Sequence, residues 1–297
     1  MIKVRERQEN MIDRRSERTM MGTILGVAQQ DNRIRGVILS GSRANPNAKQ
    51  DIFQDYDIIY VVNNVEVFVE DSEWVDQFGE RLLMQTPDEM DGLWPQCKDK
   101  FTYLILFTDG NRIDLTLFDK SSLSGLPKDS QSILFLDKDN RLGGFEPPSD
   151  RDYLPHPPTE REFKNCCNEF LWVSTYVAKG IWRKELTYAK YMSEHVVKDE
   201  LIKLLTWYAW MKTNFQRTMG KCGKYLQDYR DQDVWTQFVK TYVDADYLHM
   251  WGALLEMCQL FNRVALKVSS YYGYHYDEQE YQRVIEYLKE VRDIKNQ

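Results

Sequence analysis

The sequence predicts an α+β protein. An N-terminal domain of residues 1–150 carries a mixed β-sheet with flanking helices, and an all-helical domain of residues 151–297 follows. Three observations carry this. Short β-branched and aromatic runs, punctuated by Gly, Asp and Asn, fill the first half. Five prolines (Pro147, Pro148, Pro155, Pro157 and Pro158) crowd into twelve residues. Each fixes its own φ and disfavours helix in the residue before it, which marks a boundary. Beyond them, apolar residues recur at helical spacing to the end of the chain.

In chain order, Ser16–Gln30 reads as a helix. Ile34–Ser40 (IRGVILS) is a short apolar run that stops at Gly41, as a buried strand does. Tyr56–Val62 (YDIIYVV) is a second strand, Val65–Phe78 a helix and Arg81–Gln85 a short strand. Phe101–Thr108 and Arg112–Phe118 flank Asp109-Gly110-Asn111. Asp-Gly between two strand-like runs signals a hairpin, because glycine tolerates the positive φ of a tight turn. Ser132–Leu136 is one more strand. After the prolines, Thr159-x-x-Glu162 has the form of a capping box. Phe163, Cys166, Cys167, Phe170, Tyr176 and Val177 then share one helical face. Leu201, Leu204, Leu205 and Tyr208 do the same, as do Met250 through Phe261 and finally Tyr281, Ile285 and Leu288.

Composition narrows the function. Apolar residues make up 42% and aromatics 13% of 297 residues, enough for two buried cores and unlike a disordered chain. The net charge of −7 repels nucleic-acid backbones and anionic membranes and attracts cationic small molecules. Neither a nucleic acid nor a membrane is therefore expected as a partner. The first twenty residues are dense in Arg and Glu and contain no apolar h-region. The five cysteines, Cys97, Cys166, Cys167, Cys222 and Cys258, form no C-x-x-C pair. A disulfide framework or zinc site is not expected, and a cytoplasmic location is. His156, His195, His249 and His275 show no ligand spacing and read as structural.

Three features carry chemistry together: Gly41-Ser42 directly after a buried strand, Asp55-x-Asp57 opening the next, and Asp114 inside the second arm of the hairpin. In a strand, residues i and i+2 point the same way, about 7 Å apart. Asp55 and Asp57 can thus aim two carboxylates at one point. Magnesium takes hard oxygen ligands and completes its shell with waters and substrate phosphates. Asp114 lies between Ile113 and Leu115, where an unpaired charge is costly, so it needs a partner such as a metal. Glycine at 41 lets the backbone approach a ligand. Exposed N–H groups and the Ser42 hydroxyl can hold phosphate oxygens, and Arg43 can neutralise a phosphate. A lone D-x-D is weak evidence, but this ordered set points to a metal–triphosphate site.

This set resembles the signature of the DNA polymerase β nucleotidyltransferase superfamily. The segments GSRANPNAKQDIFQDYDIIYVV, ILFTDGNRIDLTLF and CCNEFLWVSTYVAKG are together similar to the aminoglycoside 6-adenylyltransferases, which inactivate streptomycin. The likeness runs from about Met20 to Tyr271. It implies two magnesium ions held by Asp55 and Asp57, ATP as donor, and adenylyl transfer to an aminoglycoside hydroxyl with release of pyrophosphate. Asp114 either completes the metal site or acts as general base.

Outside this set, Lys221 and Lys224 sit beside two glycines in MGKCGKYL and are expected to reach the triphosphate. Glu169, in CCNEF, is the expected partner of a cationic acceptor. Glu185, Glu194 and Asp199 are weaker candidates. The site is expected in the cleft between the domains. Rival readings are transfer to another small molecule or to a protein, and a non-catalytic antitoxin-like module that retains the fold. The intact carboxylate set argues against the last.

Overall fold

The computed structural model describes residues 14–229 and 231–294. Residues 1–13, part of the stretch that lacks an apolar h-region, lie outside the described residues. The chain divides into two compact units, one ending at Asp152 and the other beginning at Tyr153.

In the first unit, helix α1 (Glu17–Gln30) starts where the Ser16 side chain accepts a hydrogen bond from the Thr19 N–H. Such a cap satisfies one of the helix's orphan donors. Met20, Ile24 and Val27 then line a buried stripe. Six strands follow: β1 (Ile34–Ser40), β2 (Tyr56–Val62), β3 (Arg81–Gln85), β4 (Lys100–Phe107), β5 (Arg112–Asp119) and β6 (Ser132–Asp137). They form one sheet in the order β3-β4-β5-β2-β1-β6. Strands β2 and β5 run parallel and the other four neighbouring pairs antiparallel, so the sheet is mixed.

Strand periodicity decides what each face carries. Tyr56, Ile58, Tyr60 and Val62 of β2 enter the main core with α1. Ile59 and Val61 join a smaller cluster with Ile38, Phe118, Leu126 and Leu142. Asp57 is in phase with Ile59 and Val61, Ser40 with Ile38, and Asp114 with Phe118. The polar ends of the three central strands therefore share the face opposite the main core. Tyr60 reaches through that core to donate its hydroxyl to the Ile24 carbonyl of α1.

The segment Val65–Phe78 departs from the single helix expected. It forms one α-helical turn (Glu66–Val69) and a 3-10 helix (Ser72–Phe78), broken at Asp71, whose φ is −122° and ψ 79°. Val65, Val67 and Val69 are restricted at χ1, and Asp71-Ser72 competes for backbone hydrogen bonds, so a longer helix is not favoured. The turn Asp109-Gly110-Asn111 closes the β4–β5 hairpin with Gly110 at φ +78°.

That turn also anchors the start of α1. Arg15 donates through Nε to Asp109 Oδ2 at 2.6 Å and through its backbone N–H to the same oxygen at 3.2 Å. The nearly fully buried Asn111 donates to Asp109 and to the Arg15 carbonyl.

The second unit is helical, with no strand among its described residues. The Thr159 side chain and Glu162 close the capping box at the start of α2 (Glu160–Trp182). Then come α3 (Leu186–Tyr191), a π-helical turn (Met192–Val197), α4 (Lys198–Lys212), α5 (Gln232–Val239), α6 (Tyr247–Tyr272) and α7 (Glu278–Asp293). Phe170 of α2 stacks on Phe261 of α6 with ring centroids 3.8 Å apart. At the π turn, Glu194 accepts from the buried Lys198 and from Lys190, so this weaker candidate is engaged in holding the turn. Among the described residues no helix is long and apolar enough to cross a membrane.

The Asp109 network generates a stability prediction. Burial alone would raise the Asp109 carboxyl, but the hydrogen bonds from Arg15 and Asn111 outweigh it and hold it well below the ordinary carboxylate range. A depressed carboxyl stabilises the fold above its unfolded value, near 3.9, and loses that contribution as pH falls through the folded value. Asp109→Ala should therefore cost about 2 kcal/mol at neutral pH, because the Arg15 Nε and the Asn111 backbone N–H lose their carboxylate acceptor. The gap should narrow below about pH 4. Urea denaturation of both proteins at pH 7 and pH 3.5 measures it, and equal stability at pH 7 would contradict it.

Candidate active site

The register of the central strands assembles the site. Ser40 of β1 pairs with Asp57 of β2, and Asp57 pairs with Asp114 of β5. Three polar residues thus stand level on adjacent strands, with Asp55 two positions before Asp57. After Ser40 the chain turns through a 3-10 helix, Gly41–Arg43. Gly41 has φ +70°, and a Cβ there would lie 2.2 Å from Asp57 Oδ2. Glycine is required twice over, for the left-handed backbone and for the carboxylate resting against it.

The carboxylates burden one another. Burial, then the charges of Asp114 and Asp55, push the Asp57 carboxyl up to about 6. Asp55 is also raised, chiefly by burial, with Arg112 opposing and Asp114 adding to the rise. Arg112, which the sequence reading passed over, stands among them. Its Nε and Nη2 donate to the two Asp114 oxygens at 2.6 and 2.8 Å, and its Nη1 lies 3.7 Å from Asp55 Oδ2. The signal was available: Arg112 precedes Asp114 by two on a strand, so it shares Asp114's face.

Among the described residues, no three His, Cys, Asp or Glu side chains converge as a ready-made metal cage. The donor chemistry nevertheless fits a hard divalent cation. Three carboxylates meet here, Asp57 is raised by the charges of the other two even with Arg112 and Arg43 opposing, and Gly41 keeps the backbone clear beside Asp57. Asp55 and Asp57 are the less engaged carboxylates for such an ion, since each Asp114 oxygen already accepts one hydrogen bond from Arg112.

The other residues singled out in the sequence fall as follows. Ser42 Oγ accepts from Gln54 Nε2 at 3.3 Å, which ties the turn to the residue before Asp55. Arg43 takes a different place from the phosphate contact expected. Its Nε donates to the Asp55 carbonyl at 3.1 Å and its Nη2 to the Gln54 carbonyl at 2.8 Å. Its Nη1 pairs with Glu17 at 3.1 Å, and the guanidinium lies 3.9 Å from the Tyr56 ring centroid. With 9% of its side chain exposed, Arg43 secures the loop that delivers Asp55 and Asp57 and presents no free fork.

Glu169, Lys221 and Lys224 belong to the second unit. Glu169 is exposed on α2 and lines an open groove of about 540 Å³ with Asn165, Asn168, Trp207, Glu162 and a Glu200–Lys203 ion pair at 2.6 Å. Lys221 and Lys224 are exposed on a tight turn. Gly220 and Gly223 there have φ +69° and +71°, and a Cβ at 223 would lie 2.7 Å from the Leu226 side chain.

A carboxyl raised in the folded state favours the fold below its unfolded value and works against it as pH rises through the folded value. Asp57→Asn should therefore raise the melting temperature of the metal-free protein by a few degrees at pH 8, with the gain vanishing below about pH 4. Calorimetry across that range is the check. An equal or lower melting temperature at pH 8 would show that Asp57 carries no such burden.

Comparison with known proteins completes the assignment. A family model for streptomycin adenylyltransferase matches residues 14–291. The chain is 39% identical over 263 residues to an aminoglycoside 6-adenylyltransferase of Campylobacter jejuni, covering 88% of this chain and 91% of that one. It is 38% identical over 266 residues to one of Bacillus subtilis (strain 168), covering 89% and 94%. A Staphylococcus aureus relative of the same name is 33% identical over 268 residues, covering 90% and 95%. A crystal structure of an aminoglycoside 6-adenyltransferase from Bacillus subtilis aligns with 34% identity and a TM-score of 0.47, covering 94% of this chain and 100% of that one. With a match that spans nearly the whole chain, this protein belongs to the streptomycin adenylyltransferase family and is a nucleotidyltransferase.

Proposed function

We propose that the protein transfers AMP from ATP to a hydroxyl of streptomycin and releases pyrophosphate, acting in the cytoplasm and conferring resistance to that antibiotic. The observation that carries the reading is Asp57 resting on Gly41 and level with Asp114, with Asp55 in step beside it. Support for the acceptor comes from the relatives, named for an aminoglycoside, and from the family model, named for streptomycin.

Asp55 and Asp57 would hold magnesium, which when bound neutralises phosphate charge and activates the transferred phosphoryl group as a Lewis acid. The remaining work falls to the chain itself. The Gly41-Ser42 turn offers backbone N–H groups and a hydroxyl to the triphosphate. Lys221 and Lys224 add positive charge for the same group. Asp114 serves as a further ligand or takes the proton from the attacking hydroxyl. Glu169 recognises a cation, in a groove where Glu200 is already paired with Lys203 and Glu162 is engaged in its capping box. The overall charge of −7 draws a polycation in, with a salt sensitivity that follows screening.

Mass spectrometry tests the reading directly. Streptomycin should gain one adenylyl group, with pyrophosphate released, only when ATP and magnesium are both present. Adenylylation of a neutral compound with streptomycin untouched would overturn the acceptor and leave the nucleotidyl chemistry. Glu169→Gln should raise the KM for streptomycin severalfold while that for ATP stays near the unaltered value; the reverse pattern would remove Glu169 from acceptor recognition. Asp114→Asn separates its two roles. Normal ATP–magnesium affinity with lost turnover marks a base, reduced affinity marks a ligand, and no change in either rejects both.

A further inference from the structure

We propose that Arg112 is a resident counter-ion of the carboxylate cluster, holding the charge of Asp114 and Asp55 until a divalent cation displaces it from Asp55. The inference rests on the magnesium reading above and assigns a positioning role to a residue that reading leaves idle. Three carboxylates share one face of the sheet, and a like-charged cluster of this kind repels itself unless a cation stands among them. Arg112 is placed to do this by strand geometry alone, two residues before Asp114 and on the same face.

Its contacts are unequal, and the inequality sets the order of events. The fork on Asp114 is bidentate, at 2.6 and 2.8 Å, the strong form of an arginine–carboxylate pair. The third nitrogen is 3.7 Å from Asp55, an ionic contact without a hydrogen bond. Asp55 is thus the carboxylate that Arg112 releases first, while Asp114 stays held. With 40% of its side chain exposed, Arg112 has solvent to move into. The guanidinium stays charged across the working pH range, so a proton cannot relieve the competition. Arg112 and the cation therefore compete for one pool of negative charge, and the metal alone binds more weakly than its ligands permit. An arriving triphosphate offers the displaced nitrogen a new acceptor, which couples the binding of metal and nucleotide.

The test uses manganese alone, without nucleotide, followed by electron paramagnetic resonance on the full chain. Arg112→Met should bind Mn²⁺ about tenfold more tightly than the unaltered protein, with the gap closing at high salt. Arg112→Lys, which keeps the charge but loses the fork, should fall between, and adding Asp57→Asn should abolish the binding. If Arg112 merely propped Asp114, its removal would loosen the site. Equal or weaker Mn²⁺ binding by a folded Arg112→Met protein would thus overturn the inference and leave the magnesium reading standing. Mn²⁺ binding by neither protein, or binding indifferent to Asp57→Asn, would overturn the magnesium reading and this inference with it. Should Arg112→Met fail to fold, the unaltered protein still decides. The ¹⁵N signals of the Arg112 Nη groups, assigned by their loss in Arg112→Lys, should move on titration with Mg²⁺, because Nη1 is the nitrogen that faces Asp55; unmoved signals would overturn the proposal.

Discussion

At position 41 any side chain would occupy the space that the Asp57 carboxylate takes, with a Cβ only 2.2 Å from Oδ2. This close approach governs the site. Because β1 pairs antiparallel with β2, and β2 parallel with β5, the carboxylate that rests on Gly41 is level with Asp114. The chain between the Gly41 turn and β2 then has to return at one place. Arg43 ensures it by donating to the carbonyls of Gln54 and Asp55, and Gln54 by donating back to Ser42. Asp55 and Asp57 are thus delivered by a loop fastened at its base, which is how a polar constellation is held to useful precision.

The same hairpin carries one carboxylate that fastens its turn and one that faces the site. At its turn, Asp109 is paired with Arg15 and Asn111 and gains from being charged. Five residues later Asp114 adds its charge to a cluster in which Asp57 is pushed up to about 6. The turn fastens β5 to the start of α1, so the strand bearing the self-repelling group is tethered at its nearer end. Proteins commonly hold such unfavourable arrangements at functional sites and offset them in the surrounding structure.

Much of this was legible in the residues. The strands at Ile34–Ser40 and Tyr56–Val62 stood out because short apolar runs ended at Gly or began after Asp, and the Asp-Gly turn announced its hairpin. Helix α2 began where its capping box did. The break at Asp71 was missed because the apolar spacing of Val65–Phe78 suits a helix, and only local backbone competition decides against one. The work of Arg43 was hidden for a different reason. An arginine after Gly-Ser looks like a phosphate ligand until the fold brings Gln54, Asp55, Tyr56 and Glu17 around it, a tertiary fact that adjacency in sequence does not carry. Arg112 was within reach of strand periodicity, since residues two apart share a face, but apolar neighbours drew attention to Asp114 alone.

The central claim is that Asp55 and Asp57, held in step by Gly41, form the metal–triphosphate centre. A crystal grown with manganese and a non-hydrolysable ATP analogue addresses it most directly, through the anomalous signal of the metal. The account predicts a manganese peak in contact with Asp55 and Asp57 and triphosphate oxygens against the Gly41-Ser42 turn. A manganese–nucleotide complex ordered elsewhere on the protein, with these two carboxylates uninvolved, would contradict it.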